Sequence, residues 1–441
     1  MRFLSVLSVV ACFVLLFSTV AAAPTPSKPK APPKVPSKLA DALTKYLQAP
    51  GAAEKERDAV IKEAKNDLEL LVAAIRAQAP LTDLKPGTYH GRKFSSGGRE
   101  WEYSIRLPKD YDGKQRFPVL VLPDHSTIPA EDAISWWENA GKDGEIDKVI
   151  VFRPVIIKYQ EDEKYFPGLL PLTRPPALAA VMRDGLRHLR LNFAVDHDRF
   201  IMTGLSQAGF YTWFYALCFP DDFAAIIPES AGGQVTQLML LPCAKNLAGL
   251  KIRILHARGD TICPYRDAEA MREAIKEAGG EAELITFEDK DFGPNAPAAR
   301  HPCPVGKRFE NILPWGREQK RALPASFKRV LRYGVQGREG WFKLPTPPVG
   351  PNGLPGLLEV ECREKDGGIA ATMPPTPPAG ASLAGATYRV PAQAILDKKA
   401  FSVGAGRGSD RPVADLKLLL EDFRNHGDPE RLIAAEIDVS Q

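Results

Sequence analysis

The segment RFIMTGLSQAG, residues 199–209, decides the fold. Arg199–Thr203 reads as a short buried strand, and Ala208–Phe219 reads as a helix. Gly204, Leu205, Ser206 and Gln207 leave room for one sharp turn between them. A serine on such a bend carries its hydroxyl above the edge of a sheet. The positions two before and two after it must be small, because strand and helix cross there, and Gly204 and Ala208 meet that demand. The Gln207 N–H, at the helix start, is placed to donate to a developing oxyanion.

Working outward, Phe117–Leu122 (FPVLVL), Val149–Ile157 (VIVFRPVII), Ala224–Pro228, Ile252–His256 and Glu283–Phe287 are short runs suited to the buried strands of a parallel sheet. Ala177–Leu191 and Tyr265–Ala278 have helical spacing. Gly87–Phe94 and Trp101–Leu107 alternate as antiparallel strands around a turn at Ser95-Ser96-Gly97-Gly98. Strands alternating with helices predict an α/β fold whose mostly parallel central sheet is covered on both faces.

A serine hydroxyl needs a base, and the base needs an orienting carboxylate. Asp260 follows the strand ILHAR in GDTICP, at a strand's carboxyl end, where such an acid belongs; Asp289 and Asp291 are its alternates. Two histidines follow Asp260. His301 lies in a loop after the strand ELITF and is the better base, whereas His426 lies far downstream in the turn-like HGDP. His256 reads as a packed structural residue. A second oxyanion donor should come from the loop after FPVLVL, from the His125 ring or the Ser126 backbone. Trp136 and Trp137 suit core packing first and an acyl pocket second. Cys263 and Cys303 sit close to Asp260 and His301, and a disulfide between them would fix acid and base together.

The flanks differ in texture. Residues 1–23 have a positive start, an apolar run and an A-x-A site, the pattern of a cleaved signal peptide. A secreted or periplasmic protein is expected, with lipoprotein anchoring at Cys12 second and no stable membrane insertion. Residues 24–37 are a Pro/Lys-rich spacer. Residues 38–80 read as a helical hairpin, 86–344 as the α/β domain, and 345–441 as a small β-rich C-terminal appendage. The net charge of +4 on 58 basic and 54 acidic residues makes no electrostatic case for nucleic acid. Nothing in the residue pattern calls for a metal or organic cofactor.

The runs LPKDYDGKQRFPVLVLPD, HLRLNFAVDHDRFIMTGLSQAGFYTWFYALCFPDDFAAIIPESAGG and ILHARGDTICPYRDAEAMREAIKEAGGEAELITFED resemble bacterial secreted α/β-hydrolases. The group is the esterase / polyhydroxybutyrate-depolymerase-like, phospholipase/carboxylesterase one. The resemblance covers roughly 86–300. It implies an α/β-hydrolase fold, Ser206 as nucleophile, Asp260 as triad acid, and a second oxyanion donor near 124–126. The chain departs from that group in having LPDHS in place of a leucine-histidine-glycine loop, and in a histidine displaced to 301. The expected activity is hydrolysis of a small-molecule or polymeric carboxylic ester through an acyl-enzyme. A serine peptidase or amidase would use the same parts, and a degenerate hydrolase serving as an exported binding or scaffold protein is the alternative outside enzymes.

Overall fold

The computed structural model describes residues 31–140, 144–156, 175–232, 240–293, 298–331, 339–345, 357–403 and 411–440. The expected signal peptide, the first half of the 24–37 spacer and all of the linker-like 345–356 but its first residue lie outside the described residues. Among the described residues, no helix is long and apolar enough to cross a membrane.

Three helices come first, α1 (Ser37–Gln48), α2 (Glu54–Glu63) and α3 (Leu68–Arg76). This corrects the expected two-helix hairpin. The apolar spacing runs on from Ile61 to Ile75, but Lys65 and Asn66 adopt φ of 55° and 56°, which no helix accommodates, and Asp67 caps the next one by accepting from Leu70 N–H.

The α/β body follows in the order β1 (Gly87–Ser96), β2 (Arg99–Leu107), β3 (Phe117–Val121), α4 (Ala130–Ala140), β4 (Ile150–Val155), α5 (Pro175–Asn192), β5 (Val195–Leu205), α6 (Gln207–Cys218), β6 (Ala225–Glu229), β7 (Lys251–Ala257), α7 (Tyr265–Glu277), β8 (Ala282–Phe287) and α8 (Val305–Glu318). The eight strands form one sheet in the order β1-β2-β4-β3-β5-β6-β7-β8. β1, β2 and β4 pair antiparallel, and every pairing from β4 onward is parallel. Strand alternation divides the core. Val119, Val121, Phe200 and Met202 pack beneath α5, α6 and α7, whereas Leu120, Leu122 and Ile201 pack beneath α4 and α8.

The strand order reverses about β3, which lies between β4 and β5. Loops leaving the carboxyl ends of β3 and β5 therefore diverge to opposite sides of the sheet and leave a crevice, the usual ligand position in open α/β sheets. The register places Val121, the last residue of β3, beside Met202. The 123–128 loop thus emerges next to the Ser206 turn.

The C-terminal part contains β9 (Ser326–Leu331), β10 (Phe342–Lys343), β11 (Leu358–Lys365), β12 (Gly368–Thr372), β13 (Thr387–Pro391), α9 (Ala392–Leu396), β14 (Ser402–Val403), α10 (Leu416–His426) and β15 (Ile433–Asp438). They make two small sheets, β14-β12-β11-β9 and β10-β13-β15. β9 pairs with β11 from Ser326–Arg363 to Leu331–Leu358, so an appendage strand precedes the boundary expected at 344/345. Helices α1–α3 share a core with Leu419, Leu420 and Phe423 of α10 and with Leu432 and Ala434. Each such buried side chain contributes about 1.5–3 kcal/mol, which ties the two ends of the chain together. Elsewhere the α/β body meets the C-terminal part through charged contacts: Arg321 joins Asp198 at 2.9 Å and Asp428 at 2.7 Å, and Arg329 joins Asp221 at 3.0 Å and Glu339 at 3.2 Å.

Candidate active site

Ser206 closes β5 and stands at φ 58° and ψ −119°. That backbone costs a residue with a Cβ about 1–3 kcal/mol and persists only where the surroundings enforce it. They do so here. A Cβ on Gly204 would lie 2.5 Å from the Ala208 carbonyl carbon, and one on Gly209 would lie 2.7 Å from the Gly204 oxygen. The Ser206 N–H donates to Glu229 O at 2.9 Å, which fixes the bend to β6. The Ser206 hydroxyl is not used to cap α6. Gln207 is the first residue of α6, so its N–H has no partner within the helix.

Asp260 leaves the end of β7 and is buried. Its Oδ1 accepts from the N–H groups of Ile262 and Cys263, both at 2.8 Å. Its Oδ2 lies 2.9 Å from His301 Nδ1 and 3.5 Å from His256 Nε2. Burial alone would raise the Asp260 pKa, but the bond from His301 and the backbone donors outweigh it and hold the carboxyl below its ordinary range. The ionised acid keeps the proton of His301 on Nδ1 and leaves a lone pair on Nε2.

His256 is buried beneath this pair, its Nε2 2.8 Å from Cys263 O, and burial pushes its pKa down. Asp289 and Asp291 are engaged elsewhere, with Arg300 at 2.9 Å and Lys307 at 2.5 Å. His426 faces Asp422 of its own helix α10 at 3.5 Å.

The expected Cys263–Cys303 bridge is not formed. Both thiols are free, and burial raises them to about 11 and about 12. The Thr261 N–H instead donates to Ala299 O at 3.0 Å and joins the acid loop to the histidine loop, while Cys303 Sγ sits 3.4 Å from Ser230 Oγ.

The 123–128 loop is organised by a buried ion pair that sequence reasoning missed. Asp124 Oδ1 accepts from His125 N–H at 2.8 Å and meets Arg153 Nη2 at 3.3 Å, and Oδ2 accepts from Ile156 N–H at 2.9 Å. Arg153 also donates to Pro123 O at 2.8 Å and Ile128 O at 2.7 Å. This arrangement lets LPDHS hold a tight loop without glycines. The Ser126 N–H donates to Gln207 Oε1 at 2.8 Å. Thus the Ser126 N–H, expected at the oxyanion position, is already bonded, as is the His125 N–H.

The His125 ring differs. Its Nδ1 accepts from Thr127 N–H at 3.2 Å, which places the ring proton on Nε2. Burial first, then the positive charge of Arg153, depress its pKa and favour the neutral ring.

A cavity of about 390 Å³ lies against this turn. It is lined by Leu205 and Ala208, which flank the serine segment, by Pro302 next to His301, and by His125, Trp136 and Trp137. The two tryptophans therefore serve both core and cavity wall: Trp137 is buried and Trp136 partly so.

Residues 95–240 match the Esterase family model. A search of the curated proteins gave no match. Solved structures with a similar fold include a thermostable esterase, at 22% identity and TM-score 0.42, with 53% of this chain and 63% of that one covered. The chain thus spans less than two thirds of that esterase. Others are Est1E from Butyrivibrio proteoclasticus, at 13% identity and TM-score 0.38, with 52% and 97% covered, and an acylaminoacyl peptidase from Pyrococcus horikoshii, at 16% and 0.40, with 55% and 43% covered. The strand order, the serine turn and the family match define an α/β-hydrolase. Within that fold, residues 95–240 resemble the Esterase family.

Proposed function

We propose that this protein is an exported carboxylic ester hydrolase working through an acyl-enzyme on Ser206. His301 Nε2 takes the serine proton as Oγ attacks the ester carbonyl, and Asp260 holds the imidazolium that forms. The Gln207 N–H and the His125 Nε2–H receive the oxyanion. The imidazolium then protonates the departing alcohol, and water, activated by His301, releases the acyl group. The chemistry uses side chains, one backbone N–H and water, and its substrate is a small or polymeric ester. Export rests on the residue 1–23 pattern.

The observation that carries the reading is the Asp260–His301 bond at 2.9 Å, together with a cavity lined by the neighbours of His301 and Ser206. The test is labelling with a fluorophosphonate probe, run with a panel of p-nitrophenyl esters and aminoacyl anilides beside Ser206→Ala. Labelling and ester turnover lost in the variant are expected. An unlabelled native protein, or equal labelling of the variant, removes the proposal, and turnover confined to anilides redirects it to a peptidase.

A further inference from the structure

The cavity beside Ser206 has an apolar wall and a cationic end. Trp136 and Trp137 of α4 meet edge to face, with ring centroids 5.0 Å apart. Arg308, on α8, lies with its guanidinium 4.4 Å from the Trp136 ring centroid and lines the same cavity. Arg308 is itself only 8% exposed. Its Nε is committed to Glu229 Oε2, a fully buried carboxylate whose Oε1 is taken by Thr203 Oγ1 at 3.1 Å.

The Nη groups of Arg308 have no hydrogen-bond partner among the described residues, and they are not among its sealed, unpaired polar atoms. Four N–H donors therefore remain open on a side chain that is otherwise buried. Arg153, which also lines the cavity, differs: its Nη1 and Nη2 both donate to backbone carbonyls.

The acceptor that completes Arg308 is limited by charge. Glu229 already neutralises Arg308, Asp124 neutralises Arg153, and Asp132 adds a further carboxylate to the lining. An anionic substrate group would face the Glu229 carboxylate as a like charge. An ether, hydroxyl or carbonyl oxygen accepts from a guanidinium without that penalty. Flat apolar groups suit the tryptophan wall, and the volume is at the low end for a drug-sized ligand.

We infer that this cavity receives one arm of the ester, a flat apolar group tipped with an uncharged oxygen acceptor, and that the Arg308 Nη donors read that oxygen. The inference rests on the esterase reading and is separable from it by experiment.

Methyl 3-arylpropanoates and 2-arylethyl acetates carrying 4-methoxy, 4-ethyl or 4-carboxy groups place the tip on the acyl or the alcohol side. In one of the two series the methoxy ester should exceed its ethyl isostere about tenfold in kcat/KM, the worth of one charge-assisted bond, with the carboxy ester slowest. Binding of the same esters to Ser206→Ala, followed by tryptophan fluorescence, should repeat the order without turnover. In the double variant Glu229→Gln/Arg308→Gln, which replaces the ion pair with two amides, the methoxy-to-ethyl ratio should fall to about one. Parity of methoxy and ethyl in both series, preference for the carboxy ester, or a ratio that survives the double variant each overturns the inference. If the double variant does not fold, the wild-type turnover and binding ratios still decide. A binding preference without any turnover by the wild type would instead sink the esterase reading and leave only the Arg308 contact to an uncharged oxygen of a bound ligand.

Discussion

The Gln207 side-chain carbonyl accepts the Ser126 backbone N–H at 2.8 Å, so the residue that follows Ser206 also fastens the neighbouring loop. One residue thereby couples the helix N-terminus to the segment that carries His125. Gln207→Ala keeps the backbone N–H of position 207 but removes the tether. We expect kcat to fall roughly tenfold with KM little changed, as the His125 ring loses its fixed position. Gln207→Glu keeps an acceptor for Ser126 yet sets a negative charge beside the oxyanion, and it should be slower than the alanine variant. Steady-state kinetics of both variants on one p-nitrophenyl ester make the comparison.

The His125 ring is assigned as a donor because Thr127 occupies its Nδ1 and because burial keeps it neutral. His125→Phe preserves a flat ring and deletes the donor. The expected loss is about 10²-fold in kcat, with the shape of the pH–rate profile preserved, since a neutral donor takes no part in the titration. A profile whose limbs move in the variant would show His125 acting as base instead.

Asp260 has two duties that one substitution separates. Its Oδ1 holds the turn through Ile262 and Cys263, and its Oδ2 holds His301. Asparagine retains an acceptor for the turn but offers an N–H to the ring, which favours the wrong tautomer. Asp260→Asn should therefore fold with a near-native melting temperature and lose about 10³–10⁴ in kcat. Asp260→Ala should lose the rate and, in addition, about 1–2 kcal/mol of stability from the unfilled turn donors, measured by urea unfolding.

The serine turn was legible because its constraint is local. Gly204 and Ala208 are small because they meet each other four residues apart, and the flanking strand and helix carry their own periodicity. Asp260 was legible in the same way, from the end of one strand. The Asp124–Arg153 and Glu229–Arg308 pairs were not, because each joins residues 29 and 79 apart, and Arg308 sits on an amphipathic helix where a cation reads as surface. The first N-terminal helix could be read from its spacing, but not the break at Lys65-Asn66 that divides the second pattern into α2 and α3, nor the α10 face that covers them; no periodicity in one segment names its partner. β9 read as part of the body because pairing with β11 leaves no mark in the sequence of either strand.

Asp124 and Arg153 test how far the crevice depends on a buried charge pair. The two side chains are 7% and 3% exposed as residues, and Asp124 also accepts two backbone N–H groups. Arg153→Met leaves that carboxylate unpaired in the interior. The expected cost is about 3–5 kcal/mol, read as a fall in the urea midpoint, with activity lost together with the 123–128 loop geometry. Replacing both residues by apolar ones should recover part of the stability and none of the activity.

Glu339 is fully buried, and burial raises its pKa to about 7; Arg329 at 3.2 Å opposes the rise and the Asp221 charge adds to it. In the unfolded chain the same carboxyl titrates near its ordinary value of about 4.3. Between those two values the folded protein holds a proton that the unfolded chain has released. The native state is the better proton binder, so its stability falls as pH rises through this window. The contribution is complete below about pH 4.3 and is lost by the time the pH passes about 7. Glu339→Gln keeps an acceptor for Arg329 and cannot ionise. Urea unfolding of the two proteins from pH 4.5 to 8 should show the variant gaining on the wild type as pH rises, with the difference levelling above about 7. A difference that stays constant across the series, or that shrinks as pH rises, would mean that Glu339 is ionised in the fold throughout and that Arg329 outweighs its burial.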